Sequence, residues 1–279
     1  MNAHKANREE VIPREKEENR QEVNTHFFEK LEEERLLIWF SAGATSAVAA
    51  ALSLRLSRAG KLPKWVEICY CETGAHHEDN LRFIRDCEQW LHQPIIILRN
   101  EAYRDLDDVI EKERYINGPT GAKCTQVLKI AVRKRYQRAE SGIQVFGFHS
   151  GEVDRAAEYR EHFPEVRLKC PLIESGLFHD DCLALLREVG IELPTLYRQG
   201  YRNNNCRGCL KGGMGYWNKV RIDDPEIFLK RASQERQIGH SCIKGVFLDE
   251  LDPSRGNYAA EPAVECEGFC AIAKEEVCL

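Results

Sequence analysis

Four short apolar stretches along the chain have the character of buried strands. Residues 36–40 form the clearest one, because every position is apolar, as in a strand that is covered on both faces of a sheet. The other three stretches contain the β-branched and aromatic residues that strands favour. The pattern predicts strands at residues 36–40, 65–70, 94–98 and 143–148.

Stretches with helical character lie between these strands. Strands that alternate with helices indicate the α/β fold class, with a mostly parallel twisted sheet and helices on both faces. Ligands of such sheets bind beyond the carboxyl ends of the strands, where the loops that begin at Ser41, Cys71 and His149 fall. The pattern predicts helices at residues 47–57, 79–91, 126–138 and 225–237.

Composition and charge are those of an ordinary globular protein. The chain has 279 residues, of which 43% are hydrophobic and 30% charged, with a formal net charge of −5. This balance excludes a strongly basic, histone-like protein. The first residues contain no apolar stretch of a secretory signal, so we expect a cytoplasmic protein. Residues 36–54 carry no charge, but their small polar residues favour a strand, loop and helix over a membrane span.

The loop at residues 41–46 joins a predicted strand to a predicted helix and is built of small residues. Small side chains let backbone N–H groups approach an anion, and the following helix adds the positive end of its dipole. Ser41, Thr45 and Ser46 add hydroxyl donors for phosphate oxygens. The pattern fits either a phosphate-binding loop or a tight turn capped by a hydroxyl. It lacks the Gly-Lys-Ser/Thr ending of a Walker A loop.

Several motifs in a fixed order give the chain a resemblance to a known superfamily. The loop Ser41-Ala42-Gly43-Ala44-Thr45-Ser46 resembles the Ser-Gly-Gly-x-Asp-Ser pyrophosphate loop of the adenine nucleotide alpha-hydrolase-like ATP pyrophosphatases. The resemblance covers residues 36–217 and is greatest to the 3′-phosphoadenylyl sulfate (PAPS) reductase-like proteins of phages and DNA phosphorothioation systems. The other motifs that resemble PAPS and adenylyl sulfate reductases are Glu72-Thr73-Gly74, Cys124-Thr125-x-x-Leu128-Lys129, Glu192-Leu193-Pro194 with Tyr197 and Gly200-Tyr201, and Cys206-x-x-Cys209.

The resemblance implies the fold of that superfamily and a site for ATP and Mg²⁺. It implies that residues 41–46 hold the β- and γ-phosphates, with Ser41 and Ser46 in catalytic roles, and that Glu72-Thr73-Gly74 lies near the adenosine. Two residues depart from the family pattern: Ala42 replaces a glycine, and Thr45 replaces an aspartate that can help to hold Mg²⁺. The terminal Glu-Cys-Gly-Leu-His motif of true PAPS reductases is also missing, which disfavours a reductase.

A charged segment follows the fourth predicted strand. Relatives carry Gly-x-x-x-x-Glu-x-x-Arg at this point, and Gly147, Glu152 and Arg155 match it. The resemblance places these residues in the ATP site, with Arg155 as a catalytic residue. A guanidinium group can hold phosphate oxygens bidentately and offset the charge of departing pyrophosphate. The alternative is a surface ion pair between Glu152 and Arg155 at i,i+3 spacing.

Cysteines are frequent, with 12 in the chain, and the lack of an export signal favours metal binding or thiol chemistry over disulfides. Cys206 and Cys209 are two residues apart in a Gly- and Asn-rich loop, so both thiolates can point at one ion. Cys266 and Cys270 form a second pair, and the resemblance suggests Cys124 as a further ligand. Four thiolates accept either a 4Fe–4S cluster or zinc, and unmetallated redox thiols are the remaining alternative.

Three regions follow from these patterns: a charged N-terminal extension (1–35), a nucleotide-binding α/β domain (36–200) and a Cys-rich region (201–279). We predict an AMP-forming ATP pyrophosphatase that adenylates an acceptor for sulfur transfer, in DNA phosphorothioation by family resemblance. The expected partners are nucleic acid and other sulfur-modification proteins, including a cysteine desulfurase. We expect no association with a membrane, and the sequence is compatible with a homo-oligomer. Basic residues at 133–135 and Lys211 fit either a polyanion contact or a solvated face. The alternative functions are a PAPS or adenylyl sulfate reductase and a non-catalytic nucleotide- or nucleic-acid-binding module.

Overall fold

One five-stranded parallel sheet organises the chain. The computed structural model describes residues 34–118, 121–137 and 142–264. The strands pair in the order β3-β2-β1-β4-β5, all parallel, which confirms the predicted α/β fold class. The strands are β1 (Arg35–Phe40), β2 (Trp65–Cys71), β3 (Ile95–Leu98), β4 (Ile143–Val145) and β5 (Arg167–Lys169).

Helices connect the strands and continue beyond β5. The helix predicted at 126–138 begins as a π-helical turn, Thr125–Ile130, and such turns are frequent at functional sites. None of the helices in the described residues combines the length and apolar character needed to cross a bilayer. The α-helices are α1 (Ala44–Arg58), α2 (Asn80–Leu91), α3 (Leu106–Glu113), α4 (Ala131–Gln137), α5 (Val153–His162), α6 (Pro171–Glu174), α7 (His179–Glu188), α8 (Thr195–Arg198), α9 (Met214–Asp223) and α10 (Pro225–Ile238).

β1 lies at the centre of the sheet and is buried on both faces. Leu36, Ile38 and Phe40 belong to the core that α1, α2 and α7 complete on one face. Leu37 and Trp39 alternate with them and belong to the core on the opposite face. The unbroken apolar run in the sequence thus reflects two helix layers, one on each side of a parallel sheet.

Two strands differ from the sequence-based expectation. β4 stops at Val145, short of the predicted end at residue 148, although Phe146 N still donates to Lys169 O at 3.3 Å. β5 was not predicted, because its three residues, Arg-Leu-Lys, include only one apolar side chain. β5 is an edge strand with a partly exposed surface, so it needs little apolar character.

A second apolar cluster is built from α3, α9 and α10. Trp217 of α9 is completely buried in it. Arg231 of α10 is also buried, and it forms an ion pair with Asp107 of α3. The cluster therefore joins α3, which lies between strands of the sheet in the chain, to helices that follow residue 200.

Candidate functional site

The small-residue loop lies between β1 and α1, at the carboxyl edge of the sheet. α1 begins at Ala44, earlier than predicted, so residues 44–46 form its first turn. Gly43 is the N-cap residue and has no side chain with which to satisfy the N–H groups of that turn. These N–H groups and the helix dipole favour an anion at this point. One of them, Ala44 N, donates to the Tyr197 hydroxyl at 3.2 Å.

The Ser46 hydroxyl stabilises the loop through hydrogen bonds to other residues of the same loop. Its hydroxyl donates to the carbonyl of Gly43 at 2.9 Å and accepts from the backbone N and the hydroxyl of Ser41 at 3.0 and 3.1 Å. A serine hydroxyl has one proton, so in this conformation Ser46 has none left for a phosphate. Its side chain is also fully buried. In this geometry Ser46 maintains the shape of the loop, while Ser41 and Thr45 line the cavity beside it; a catalytic role for Ser46 stays a prediction.

Ala42 has a left-handed backbone conformation, with φ of 58°. It stands where the resembling family has glycine, the residue that adopts this conformation without strain. The carbonyl of Ala42 accepts a hydrogen bond from Asn204 Nδ2 at 2.7 Å, and the same nitrogen donates to Asn80 Oδ1 at 2.9 Å. The strained turn is therefore held in part by the loop that carries Cys206.

We expect Ala42→Gly to stabilise the protein by about 1 kcal/mol, because glycine removes the cost of the left-handed conformation. The Ala50→Gly variant is the control: Ala50 lies in the interior of α1 and is as fully buried as Ala42, so glycine there loses the same methyl group and should destabilise by about 1 kcal/mol or more. Denaturant unfolding of both variants measures the two free energies. An Ala42→Gly variant that is as destabilised as Ala50→Gly would contradict the strained loop geometry.

A cavity of about 520 Å³ opens beside the loop, a size typical of small-molecule sites. Four Lys or Arg side chains line it against two carboxylates, so it favours an anionic ligand. Of the predicted site residues, Ser41, Gly43, Thr45, Glu152 and Arg155 line the cavity. The other polar residues that line it are Lys129, His149, His179, Asp180, Arg187, Tyr197, Tyr201, Arg202, Asn203, Asn204 and Asn205.

Glu152 and Arg155 form the ion pair that the sequence offered as the alternative to a functional role, but the pair lies in the cavity wall. Glu152 Oε2 also accepts from the backbone N of His149 at 3.0 Å. Burial lowers the pKa of His149 and thereby favours its neutral form. Arg155 lies over the ring of Phe148, 5.2 Å from its centroid, which fixes the direction of the guanidinium group.

Gly147 brings the end of β4 against the first turn of α1. A Cβ atom at this position would lie 2.9 Å from the backbone N of Ser46 and 3.0 Å from its Cα. Both atoms are backbone, so neither can turn aside. Gly147 therefore serves the site by permitting close approach of two backbone segments, a role that the sequence-based prediction did not distinguish from direct ligand contact.

The predicted adenosine-contacting motif at residues 72–74 lies elsewhere. None of its residues is among the described residues that line the 520 Å³ cavity. Thr73 is buried, and its Oγ1 lies 3.2 Å from Cys206 Sγ. Burial opposes ionisation of Glu72, but hydrogen bonds from His76 and the backbone N of Gly74 outweigh it and lower the pKa of Glu72 to about 2. Within the motif, Thr73 therefore contacts the loop that carries Cys206.

Three cysteines of the predicted metal set line one small cavity of about 10 Å³. They are Cys124, from the start of the π-helical turn, and Cys206 and Cys209, from the loop before α9. Lys129 lines both this cavity and the 520 Å³ cavity. No disulfide joins any two cysteines of the described residues.

Thiolates suit zinc or iron–sulfur chemistry, but the space around these three is limited. The cavity of about 10 Å³ has room for roughly one water molecule. Within residues 34–118, 121–137 and 142–264, no group of three or more His, Cys, Asp or Glu side chains is arranged to hold a metal ion. Cys266 and Cys270, the other predicted ligands, lie outside the described residues.

Arg133, part of the basic run, is buried rather than presented to solvent. Its guanidinium lies 4.9 Å from the ring centroid of Phe146 and 5.8 Å from that of Trp39. Lys134 and Arg135, by contrast, are exposed. A polyanion contact by this run can therefore involve Lys134 and Arg135 only.

Comparison with known proteins leaves the family open. No family model matches the chain. An uncharacterized protein from Methanocaldococcus jannaschii is 25% identical over 223 residues, which is 75% of this chain and 44% of that protein. The chain thus spans less than half the length of this relative.

Among solved structures, the chain is similar to the phosphoadenylyl-sulfate (PAPS) reductase from Candida auris in its phosphate complex. The TM-score is 0.44 at 13% sequence identity, over 61% of this chain and 80% of that chain. What the structure itself defines is an α/β protein with a cationic cavity at the carboxyl edge of its parallel sheet. Its function has to be argued from that cavity.

Proposed function

We propose that the protein is an ATP pyrophosphatase that releases AMP and pyrophosphate while activating an acceptor for sulfur transfer. The observation that supports this most directly is the cationic 520 Å³ cavity beside the first turn of α1. A triphosphate matches both features, because its charge suits the Lys and Arg side chains and its oxygens suit the N–H groups of a helix N-terminus.

In the proposed reaction, an acceptor oxygen attacks the α-phosphorus of ATP. The bond from that phosphorus to the oxygen that bridges to the β-phosphate breaks, and pyrophosphate leaves. Ser41 and Thr45 orient the phosphates, and Arg155 offsets the negative charge that develops on pyrophosphate. The resulting adenylate gives the acceptor a good leaving group, AMP, which a sulfur nucleophile then displaces.

The carboxylates that line the cavity, Glu152 and Asp180, are the residues that could hold Mg²⁺ with the phosphates, since Thr45 brings no charge. Mg²⁺ would neutralise phosphate charge when bound. Because Glu152 is already paired with Arg155, we expect most ligands of the ion to come from phosphate oxygens and water.

The sulfur step is proposed to use the cavity lined by Cys124, Cys206 and Cys209. Lys129 borders both this cavity and the cationic one. The adenylate and the sulfur would therefore lie next to each other, with one side chain between their cavities. Nucleic acid as the acceptor and a cysteine desulfurase as the sulfur source remain proposals, and DNA phosphorothioation is the setting that the sequence resemblance suggests.

The second candidate is a sulfonucleotide reductase. The observation that favours it is the same proximity of a thiol cavity to an anion cavity, since a reductase brings a thiol to a bound adenylyl sulfate. It requires no acceptor oxygen and consumes no ATP, which separates the two reactions experimentally.

Incubation with α-³²P-labelled ATP, Mg²⁺, single-stranded or duplex DNA, and sulfide as the nucleophile that displaces AMP tests the first proposal. We expect labelled AMP and an equimolar amount of pyrophosphate. A parallel assay with PAPS or adenylyl sulfate, thioredoxin and its reductase measures sulfite. Sulfite in the second assay with no AMP from ATP in the first would replace the first proposal by the second. Neither sulfite nor AMP from ATP would indicate a non-catalytic binding module.

We further expect anaerobically purified protein to carry metal bound by thiolates. Cys206→Ser should reduce the metal content at least severalfold, because the variant loses one thiolate donor. Cys182→Ser is the control, since Cys182 is buried in the α1–α7 core instead. Metal analysis gives the content, and visible absorption separates brown iron–sulfur from colourless zinc. Metal-free wild-type protein would leave redox thiols as the remaining interpretation.

A further inference from the structure

His179 is a residue of the cationic cavity to which the sequence analysis gave no role. It is the first residue of α7 and lines the same cavity as Ser41, Thr45 and Arg155. α7 follows β5 and α6 in the chain, so it reaches the cavity from a different segment than the loop at residues 41–46. The side chain is mostly buried, with 24% of its surface exposed.

A continuous row of side chains connects His179 to the N-terminus of α1. Its ring centroid lies 5.9 Å from that of Tyr197, and the Tyr197 hydroxyl accepts from Ala44 N at 3.2 Å. His149, which follows β4, also lies next to His179, with 6.1 Å between the two ring centroids. His179 is thus about one tyrosine ring away from the helix terminus where phosphates are proposed to bind.

One ring nitrogen of His179 has an unmet hydrogen-bonding capacity. Nε2 is buried and has no hydrogen-bond partner within the described part of the chain, whereas Nδ1 lies 3.5 Å from Asp180 Oδ1. Buried polar atoms are nearly always paired in proteins, so an unpaired one in a cavity wall is free to bind a ligand that enters the cavity. In a protonated imidazole both nitrogens donate, and Nδ1 can face Asp180 while Nε2 donates to an anion.

From this arrangement we infer that His179 binds the terminal phosphates of the nucleoside triphosphate through Nε2, opposite the loop at residues 41–46. The inference rests on the proposed function, because it needs a polyphosphate in the cationic cavity. The helix terminus and His179 then grip the β- and γ-phosphates from two sides. Pyrophosphate, which contains both groups, shares this contact, whereas AMP lacks it.

Calorimetric titration of the whole chain with ATP, pyrophosphate and AMP tests the inference. His179→Ala should weaken the binding of ATP and pyrophosphate about tenfold or more, the size expected for loss of a charge-assisted hydrogen bond. AMP binding should change less than about twofold, since AMP makes no such contact. His179→Gln, whose amide can still donate, should recover part of the loss. His162→Ala is the control, because His162 is on the exposed end of α5 and contacts the Glu158 carbonyl.

Arg155→Ala, measured beside these variants, separates the two levels of the proposal. If Arg155→Ala weakens pyrophosphate binding and His179→Ala leaves it unchanged, the inference about His179 is wrong while the proposed function stands. Equal loss of AMP and pyrophosphate affinity in His179→Ala would also overturn it, since that pattern indicates a general structural role. Wild-type protein that binds neither ATP nor pyrophosphate would reject the proposed function itself.

Discussion

Gly147→Ala is expected to abolish nucleotide turnover and to destabilise the fold by about 1–3 kcal/mol, the usual cost of overpacking. The added methyl group would lie 2.9 Å from the backbone N of Ser46, so either β4 or the first turn of α1 has to shift. Such a shift moves the N–H groups proposed to bind phosphate and breaks the hydrogen bonds of the Ser46 hydroxyl. Denaturant unfolding and AMP release, measured on the same preparation, give both effects.

Gly43→Ala provides the matched comparison within the same loop. Its added methyl group would meet only side-chain oxygens, the Tyr197 hydroxyl at 3.3 Å and the Ser41 hydroxyl at 3.4 Å. We therefore expect Gly43→Ala to retain the stability of the wild type. It should weaken ATP binding, because the added methyl group narrows the cavity. Equal stability of the two variants would mean that Gly147 is not needed for close backbone approach.

The central strands and the longer helices could be predicted because the spacing of apolar residues along the chain shows which of their faces are buried. β1 is apolar from Leu36 to Phe40 because helices cover both of its faces. The pattern predicts a helix at residues 225–237, and α10 runs from Pro225 to Ile238. Elements whose stability depends on distant contacts escaped prediction. β5 is a short edge strand with two charged residues, and the π-helical turn at Thr125–Ile130 has the composition of an ordinary helix.

The site was partly predictable for the same reason. The loop at residues 41–46 is visible as small residues between a strand and a helix, and five of the predicted residues line the cavity. The inward turn of Ser46 and the contact of Thr73 with Cys206 depend on the three-dimensional path of the chain. His179 carries no local signal, since nothing in its sequence neighbourhood indicates that α7 begins at the same cavity.

Asn204 connects the loop beside the cationic cavity to the loop that carries Cys206. Its Nδ2 donates to the carbonyl of Ala42 in the loop at residues 41–46, and Cys206 follows Asn204 by two residues in the chain. The shape of the strained turn and the position of the Cys206 thiol are therefore set by one short segment. The loop at residues 41–46 and the loop that carries Cys206 are thus linked directly by this hydrogen bond.

Arg155→Ala should lower the kcat/KM for AMP formation by a factor on the order of 100–1000, the range found when a group that stabilises transition-state charge is removed. Arg155 lines the cavity, and its stacking on Phe148 holds the guanidinium in one direction. Arg155→Lys should recover only a minor part, because an ammonium group cannot bind phosphate oxygens bidentately.

Arg160→Ala is the control on the same helix, since Arg160 contacts Cys170 and does not belong to the cavity lining among the described residues. It should keep wild-type turnover. The contribution of Arg155 to chemistry, rather than to binding, predicts a fall in kcat that exceeds any rise in KM, because charge on pyrophosphate increases as the bond to the α-phosphorus breaks. A variant with normal kcat and a raised KM would assign Arg155 to ground-state binding alone, and wild-type kinetics would remove it from the site.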